Sequence, residues 1–436
     1  MAALNAQIFI GNIIHSKSRD ELEVLENGYI IVVGSKILAI GLEPTLNDAK
    51  ARLSLGNKAP VTTLSKSQLL IPGFVDTHLH APQYPNCGLG YDKHLMDWLN
   101  TYTYPLESKY SDLELSRRVF KALVKKTLDY GTTTACYFGT LFNESCNILV
   151  DTVVDQGQRA LIGKVNMTKG APDNYLEIPV KSLENTREFV KYVQSKKSNL
   201  VKPIITPRFA LSVDLDMMKE LSLLAKCENL HLQTHISENK EEVELVQEQY
   251  GMHYANVYDE ANLLTQKTIL AHGIYLVEDE LKLIARRGTS IAHCPDSNLC
   301  LKSGACNVRQ LWDYGISVGL GTDISGGTLP SVVTIMRLCL YSSIHFSFHI
   351  KNYQPLNYEE VFYLGTLGGA EALSLQKEIG NFEVNKDFDA LIIDLDTETG
   401  LDYLLPCTPR ELLQKFIYCG DDRNIINVYV AGRLVK

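Results

Sequence analysis

Two textures alternate along this chain. From about residue 70 to about residue 330, short apolar runs rich in β-branched residues are each followed by a longer stretch of helical period. The runs are LLIPGFVDTHLH, TTTACYF, RALIGKVNMT, VKPIITPRF, LHLQTHIS, TILAHGIYL, TSIAHCPDS and ISVGLGTDIS. The intervening segments, such as LELSRRVFKALVKKTLDYG, DLDMMKELSLLAKCENL and VEDELKLIARRG, place apolar residues at i, i+3 and i+4 and close near Gly or Asn. About eight strand–helix units are the number that closes a parallel barrel. No GxGxxG follows the first run, which argues against an open dinucleotide-binding sheet. The expected fold is therefore α/β, a (β/α)8 TIM-like barrel over residues 71–378.

The two ends differ from the middle. AQIFIGNIIHS, and YIIVVGSKILAIG after Asn27-Gly28, read as strands bounded by turn residues. So do FDALIIDLD and NVYVAGRLV near the C-terminus, with Ala431-Gly432 as a turn. Residues 1–70 and 379–436 are expected to form one small composite β-domain. With no repeat, low-complexity tract or long linker, that domain should be tightly joined to the barrel.

Composition narrows the classes. A formal net charge of −9 argues against a nucleic-acid partner, since phosphate binding needs a basic surface. No run of about 18 apolar residues is present, so no membrane span is expected. The opening MAALNAQIFIGNIIHS lacks a basic region followed by an apolar stretch and a cleavage site, so a cytoplasmic setting is expected. The ten cysteines, with no CxxC pair, read as buried reduced thiols.

Parallel barrels carry their chemistry at the C-terminal ends of the strands. The first run ends in Asp76-Thr77-His78-Leu79-His80, the fifth in His235 with Glu238 three residues on, and the eighth in Asp323; the sixth contains His272. His78 and His80, two apart on a strand, leave the same face and can reach one ion. Chance alone supplies about 0.3 such pairs in a chain with this many histidines, so the conjunction of strand ends matters more than the pair. Nitrogen and oxygen ligands without thiolate suit catalytic Zn2+ or Fe2+. Glu238 is placed for proton transfer, though acids also favour the first turn of a helix such as the following EEVELVQEQYG. His272 reads either as a further ligand or as a partner of the bound water, and His293 as either a ligand or a barrel histidine. HExxH, the PCxxC deaminase signature and the P-loop are absent.

IPGFVDTHLHAPQY, His235-x-x-Glu238, TILAHG, HCPDSN and GLGTDISGG resemble the amidohydrolase superfamily, in its branch that hydrolyses amino or chloro groups on heteroaromatic rings. HAPQYPNCGLGYD, GTTTACYFGT, VKPIITPRF, LQTHISEN and YCGDDRNIINVYVAG are similar to members acting on guanine, and the likeness runs from about Phe9 to the end. The resemblance implies one Zn2+, with Fe2+ as the alternative, held by His78, His80, His235 and Asp323, with His272 close by. The carboxylated lysine of two-metal members has no counterpart: the fourth run ends Thr206-Pro207-Arg208-Phe209, and Lys202 stands at its other end. The implied reaction converts guanine and water to xanthine and ammonia. Asp323 would take a proton from the attacking water, and Glu238 would protonate the ring and then the leaving amine. Gln83, Arg208 and Phe209 would line the ring pocket, with His235, Glu238 and Asp323 also touching substrate, in a homodimer. The rival readings are a deaminase of another purine or thioether nucleoside, a triazine-type aminohydrolase, and a scaffold without catalysis.

Overall fold

The computed structural model of the chain describes residues 6–55, 59–398 and 400–436. Met1–Asn5, the start of the segment read for a leader, lie outside the described residues. Eight strands form the barrel: Phe74–His80 (β1), Thr132–Phe138 (β2), Arg159–Gly163 (β3), Val201–Pro207 (β4), His231–Ile236 (β5), Thr268–His272 (β6), Ser290–His293 (β7) and Val318–Leu320 (β8). Each pairs in parallel with the next in chain order. Apart from Lys202, every residue in them is buried. Burial on both faces is the reason these runs are continuously apolar instead of alternating. The seam between β8 and β1 is closed by backbone bonds just beyond β8. Asp323 N–H donates to the His78 carbonyl at 2.8 Å, and His80 N–H to the Ile324 carbonyl at 3.0 Å.

The expected helices form where the period placed them. Leu113–Asp129 is capped by the Asp112 carboxylate, and Leu215–Cys227 by Asp214. Lys240–Tyr250 and Glu278–Arg287 end at Gly251 and Gly288, both at φ 68°, where a glycine meets no Cβ penalty. Among the described residues no helix is long and apolar enough to cross a membrane.

Both chain ends build a second sheet, in the order Arg433–Leu434, Ile425–Val430, Ala390–Asp394, Gln68–Pro72, Ala6–Ser18, Glu21–Val33, Lys36–Leu42, with Val61–Thr63 beside Ala6–Ser18. The ends meet where Gln68–Pro72 runs antiparallel to Ala390–Asp394. LLIPGFVDTHLH, read as one strand, is two: Gln68–Pro72 in this sheet and β1 in the barrel, broken at Gly73. A Cβ on Gly73 would lie 2.1 Å from Thr133 Oγ1, so only glycine permits the close crossing. Asn27-Gly28 is also not a strand boundary. It lies inside Glu21–Val33, where Asn27 takes φ 52° within a register shift between Gly11 and Ile13, while Arg19 and Asp20 supply the hairpin turn. Ala431-Gly432 turns as expected.

The thiols depart from expectation too. Cys136, Cys146, Cys294, Cys306 and Cys339 are buried, Cys87, Cys300 and Cys407 are partly covered, and Cys227 and Cys419 are exposed; all ten are unpaired.

A buried ion pair ties the sheet to the barrel. Arg159, at the start of β3 and 3% exposed, reaches Asp389 at 3.1 Å and Asp387 at 2.9 Å. Asp389 Oδ1 also accepts from Ala431 N–H at 2.7 Å. Removing one partner of a buried pair leaves an uncompensated charge. Asp389→Ala is therefore expected to lower the unfolding free energy by about 3 kcal/mol in urea denaturation. A loss below about 1 kcal/mol would mean that Asp387 alone suffices to hold Arg159.

Candidate metal-dependent active site

Four strand ends deliver polar side chains to one point above the barrel. His78 and His80 sit at the end of β1, His235 near the end of β5 and His272 at the end of β6. Asp323 lies three residues beyond β8, on the turn that closes the seam. Gly321 makes this turn possible, since a Cβ there would come within 2.8 Å of His78 Cβ and 2.9 Å of Cys294 Sγ. Asp76 holds the same turn from below: its carboxylate accepts from Thr322 N–H at 3.0 Å, from the Thr322 hydroxyl, and from His78 N–H at 3.3 Å.

The donor atoms crowd together. His78 Nε2 is 3.2 Å and His80 Nε2 3.4 Å from Asp323 Oδ1. His80 Nε2 and His235 Nε2 are 3.1 Å apart. His272 Nε2 lies 3.9 Å from Asp323 Oδ2 and 3.4 Å from Glu238 Oε2. Two overlapping groups could each hold an ion, His78 with His80 and Asp323, and His78 with His235 and His272. His293, by contrast, joins neither; burial pushes its pKa down to about 3, as for an enclosed barrel histidine.

Several observations test whether these residues suit a cation. His235 Nδ1 donates to the Arg208 carbonyl at 2.6 Å, so its Nε2 presents a lone pair inward. The Nε2 atoms of His78 and His272 are buried without a hydrogen-bond partner among the described residues. Burial lowers the pKa of His78, His80 and His235, which keeps them in the neutral form a metal ligand must have. Burial opposes ionisation of Asp323, yet the close approach of the His78 imidazole and the nearby His272 and His80 hold it well below the usual carboxylate range. Neutral imidazoles converging on a carboxylate, with no thiolate, fit a divalent cation.

Glu238 has the opposite environment. Burial, with the Asp323 and Glu242 carboxylates nearby, pushes its pKa well up and favours the protonated acid. It does not cap the helix that follows. Asn239 takes that place, and Glu242 closes the capping box, accepting from Asn239 N–H and from Glu238 N–H at 3.0 Å. Glu238 is left to face the pocket, 3.4 Å from the Ser303 hydroxyl. The backbone here is strained. Ser237, His272 and Asp323 all adopt left-handed φ, at 49°, 76° and 46°. Such residues cost about 1–3 kcal/mol each and cluster where function over-determines the geometry.

Gln83, Arg208 and Phe209 line the pocket beside these groups, under an apolar cover of Leu95, Trp98 and Leu99. Sequence reasoning missed three neighbours. Phe138, at the end of β2, packs its ring 4.6–4.9 Å from those of His78, His80 and His235. Asn298 Oδ1 accepts from His272 Nδ1–H at 2.9 Å, and so fixes that ring. Glu107 holds both Gln83 and Arg208. Phe138 was discoverable from its strand-end position and Asn298 from the HCPDSN string, whereas nothing periodic marks Glu107.

With barrel and site in view, the chain's relatives can be placed. The amidohydrolase family profile matches residues 69–435, and the chain belongs to that family. A probable guanine deaminase of Schizosaccharomyces pombe is 44% identical over 98% of this chain and 83% of its own length. The guanine deaminase of Rattus norvegicus is 42% identical over 99% of this chain and 96% of its own. The crystal structure of guanine deaminase from C. acetobutylicum with guanine bound in its active site has a TM-score of 0.91 at 35% identity, covering 99% of this chain and 100% of that one. The expected barrel and family resemblance are both borne out.

If the cluster is a cation site, protein freed of metal by chelation should take up about one Zn2+ per chain. His78→Ala and Asp323→Asn should each lower that affinity by tenfold or more in competition titration, an effect typical of perturbing a metal's surroundings. Unchanged affinity in both variants would place the metal elsewhere.

Proposed function

We propose that this protein is a hydrolase that deaminates guanine to xanthine and ammonia, an activity of purine catabolism. One observation carries the reading. A buried acid whose surroundings favour its protonated form, Glu238, and a carboxylate whose surroundings favour ionisation, Asp323, face a pocket lined by Gln83, Arg208 and Phe209, in a chain 42% identical to the rat guanine deaminase. The ligands proposed for the ion are His78, His80, His235 and Asp323, with Zn2+ the ion proposed and Fe2+ the alternative. A divalent cation there supplies water acidified to near neutrality.

The residues then divide the proton work. Guanine C2 is an amidine-like carbon, and attack on it breaks ring conjugation, so the charge gathering on the adjacent ring nitrogen needs a proton in the transition state. Glu238 gives that proton. Asp323 takes the proton released by the attacking water as the carbon–oxygen bond forms. The proton taken by Asp323 then passes to Glu238 and on to the amine, the carbon–nitrogen bond breaks to release ammonia, and the remaining hydroxyl proton on C2 returns to Glu238 as the xanthine carbonyl forms. His272, held by Asn298, steadies the nucleophile beside Glu238. Arg208 and Gln83 supply N–H donors suited to purine acceptors, as guanidinium groups do towards guanine edges, and Phe209 offers its ring to the purine face. A homodimer in the cytoplasm belongs to the same proposal, and ten unpaired cysteines are in keeping with a reducing compartment.

Guanine turnover, followed as xanthine and ammonia production, should exceed that of adenine, guanosine and a thioether nucleoside. Glu238→Gln should keep its metal and fold yet lose about 10^2–10^4 in kcat, the range for a general acid–base group. Activity within tenfold of wild type would remove Glu238 from the role.

A further inference from the structure

Glu107 is fully buried in a segment that sequence periodicity does not predict. The connection from β1 to the helix Leu113–Asp129 contains Leu95–Trp98, a π-helical turn at Leu99–Thr103, and the short helix Tyr104–Glu107. Its first part supplies the apolar cover of the pocket, and its last residue meets the pocket's polar wall. Four donors converge on the Glu107 carboxylate. Gln83 Nε2 reaches Oε1 at 2.8 Å and Arg208 Nη2 reaches it at 3.2 Å. Arg208 Nη1 reaches Oε2 at 2.6 Å, and the Tyr175 hydroxyl donates to the same oxygen. A carboxylate has about four lone-pair sites, so this one is saturated and has nothing left to offer a ligand.

The two residues it holds are those assigned above to the ring. Gln83 is fixed in both senses, with Nε2 donating to Glu107 and Oε1 accepting from Ser325 N–H at 3.2 Å, which sets the amide's orientation. Arg208 spends one N–H from each terminal nitrogen on Glu107 and keeps three of its five for other partners. Its guanidinium also lies 5.4 Å from the centre of the Tyr104 ring, three residues before Glu107. One carboxylate thus aligns both polar arms and joins them to the cover.

We infer that Glu107 is a positioning residue for substrate recognition, acting through Arg208 and Gln83 and making no contact with the purine itself. The inference rests on the guanine deaminase reading proposed above. Because Glu238 and Asp323 are held by other partners, loss of Glu107 should act on binding more than on the chemical step.

The test uses full-length metal-loaded enzyme and steady-state kinetics on guanine. Glu107→Gln replaces an acceptor by an N–H group facing Arg208 and should raise KM at least tenfold with kcat within about threefold, a tenfold change being the scale of one aligned hydrogen bond to a charged group. Tyr175→Phe, which removes one donor and leaves the Arg208 and Gln83 bonds, should raise KM less than threefold. Glu107→Asp serves if Glu107→Gln does not fold, and should show the same KM-dominated loss. Discrimination between guanine and 2-aminopurine, which lacks the 6-oxo acceptor, should shrink in Glu107→Gln, a change that loosened packing alone would not produce. An unchanged KM, or a loss confined to kcat with discrimination intact, overturns the inference. Failure of the wild-type enzyme to turn over guanine overturns instead the reading on which it rests, and is seen before any variant is made.

Discussion

The closing seam between β8 and β1 is the constraint on which the site depends. Two backbone hydrogen bonds, from Asp323 to His78 and from His80 to Ile324, join the last strand's turn to the first strand's end. They do more than complete a cylinder. They bring the carboxylate of Asp323 to within 3.4 Å of two imidazoles that precede it by more than two hundred residues. Asp76 reinforces the seam from beneath by gripping Thr322, at the cost of a buried carboxylate whose pKa burial pushes up to about 6. A barrel open at this edge would keep its helices and lose its chemistry.

The same closure explains where strain collects. Ser237, His272 and Asp323 take left-handed backbone at or just beyond the ends of β5, β6 and β8, and His272 and Asp323 keep their side chains aimed into the pocket. A rigid surround of buried strands tolerates such residues because alternative backbone would uncover apolar surface over the whole barrel mouth. The composite sheet contributes to that rigidity through Arg159, whose pairs with the partly buried Asp387 and the buried Asp389 anchor the bottom of β3 to the C-terminal segment.

Much of this was legible in the chain. Strands buried on both faces wrote themselves as continuous apolar runs, and the barrel rule then located His78, His80, His235, His272 and Asp323 at strand ends, where the structure brings them together. What periodicity could not reach was decided by contacts distant in sequence. Gly73 splits a run that reads as one strand because a second sheet competes for its first half, and the reason, Thr133 against the missing Cβ, lies sixty residues away. Asn27-Gly28 carries turn chemistry that pairing with Ala6–Ser18 overrides. Glu107 sits in a stretch of short helical turns without a dominant period, so its role emerges only from the four donors that fold around it.

The two carboxylates of the pocket show how environment, and not residue type, assigns proton chemistry. Asp323 has imidazoles at hydrogen-bonding distance on one side and stays ionised despite burial. Glu238 is equally buried but faces the charge of Asp323 and the Glu242 carboxylate, with a Ser303 hydroxyl and the Arg208 charge to offset them in part. Two neighbouring acids cannot both ionise cheaply in such a site, so the proton goes to the one with less support. Pairs of groups whose surroundings push their pKa values apart mark an acid and a base. Here the capping box helps keep the pair apart in charge: by assigning the helix N-terminus to Asn239 and Glu242, it withholds from Glu238 the backbone donors that would have stabilised its charge.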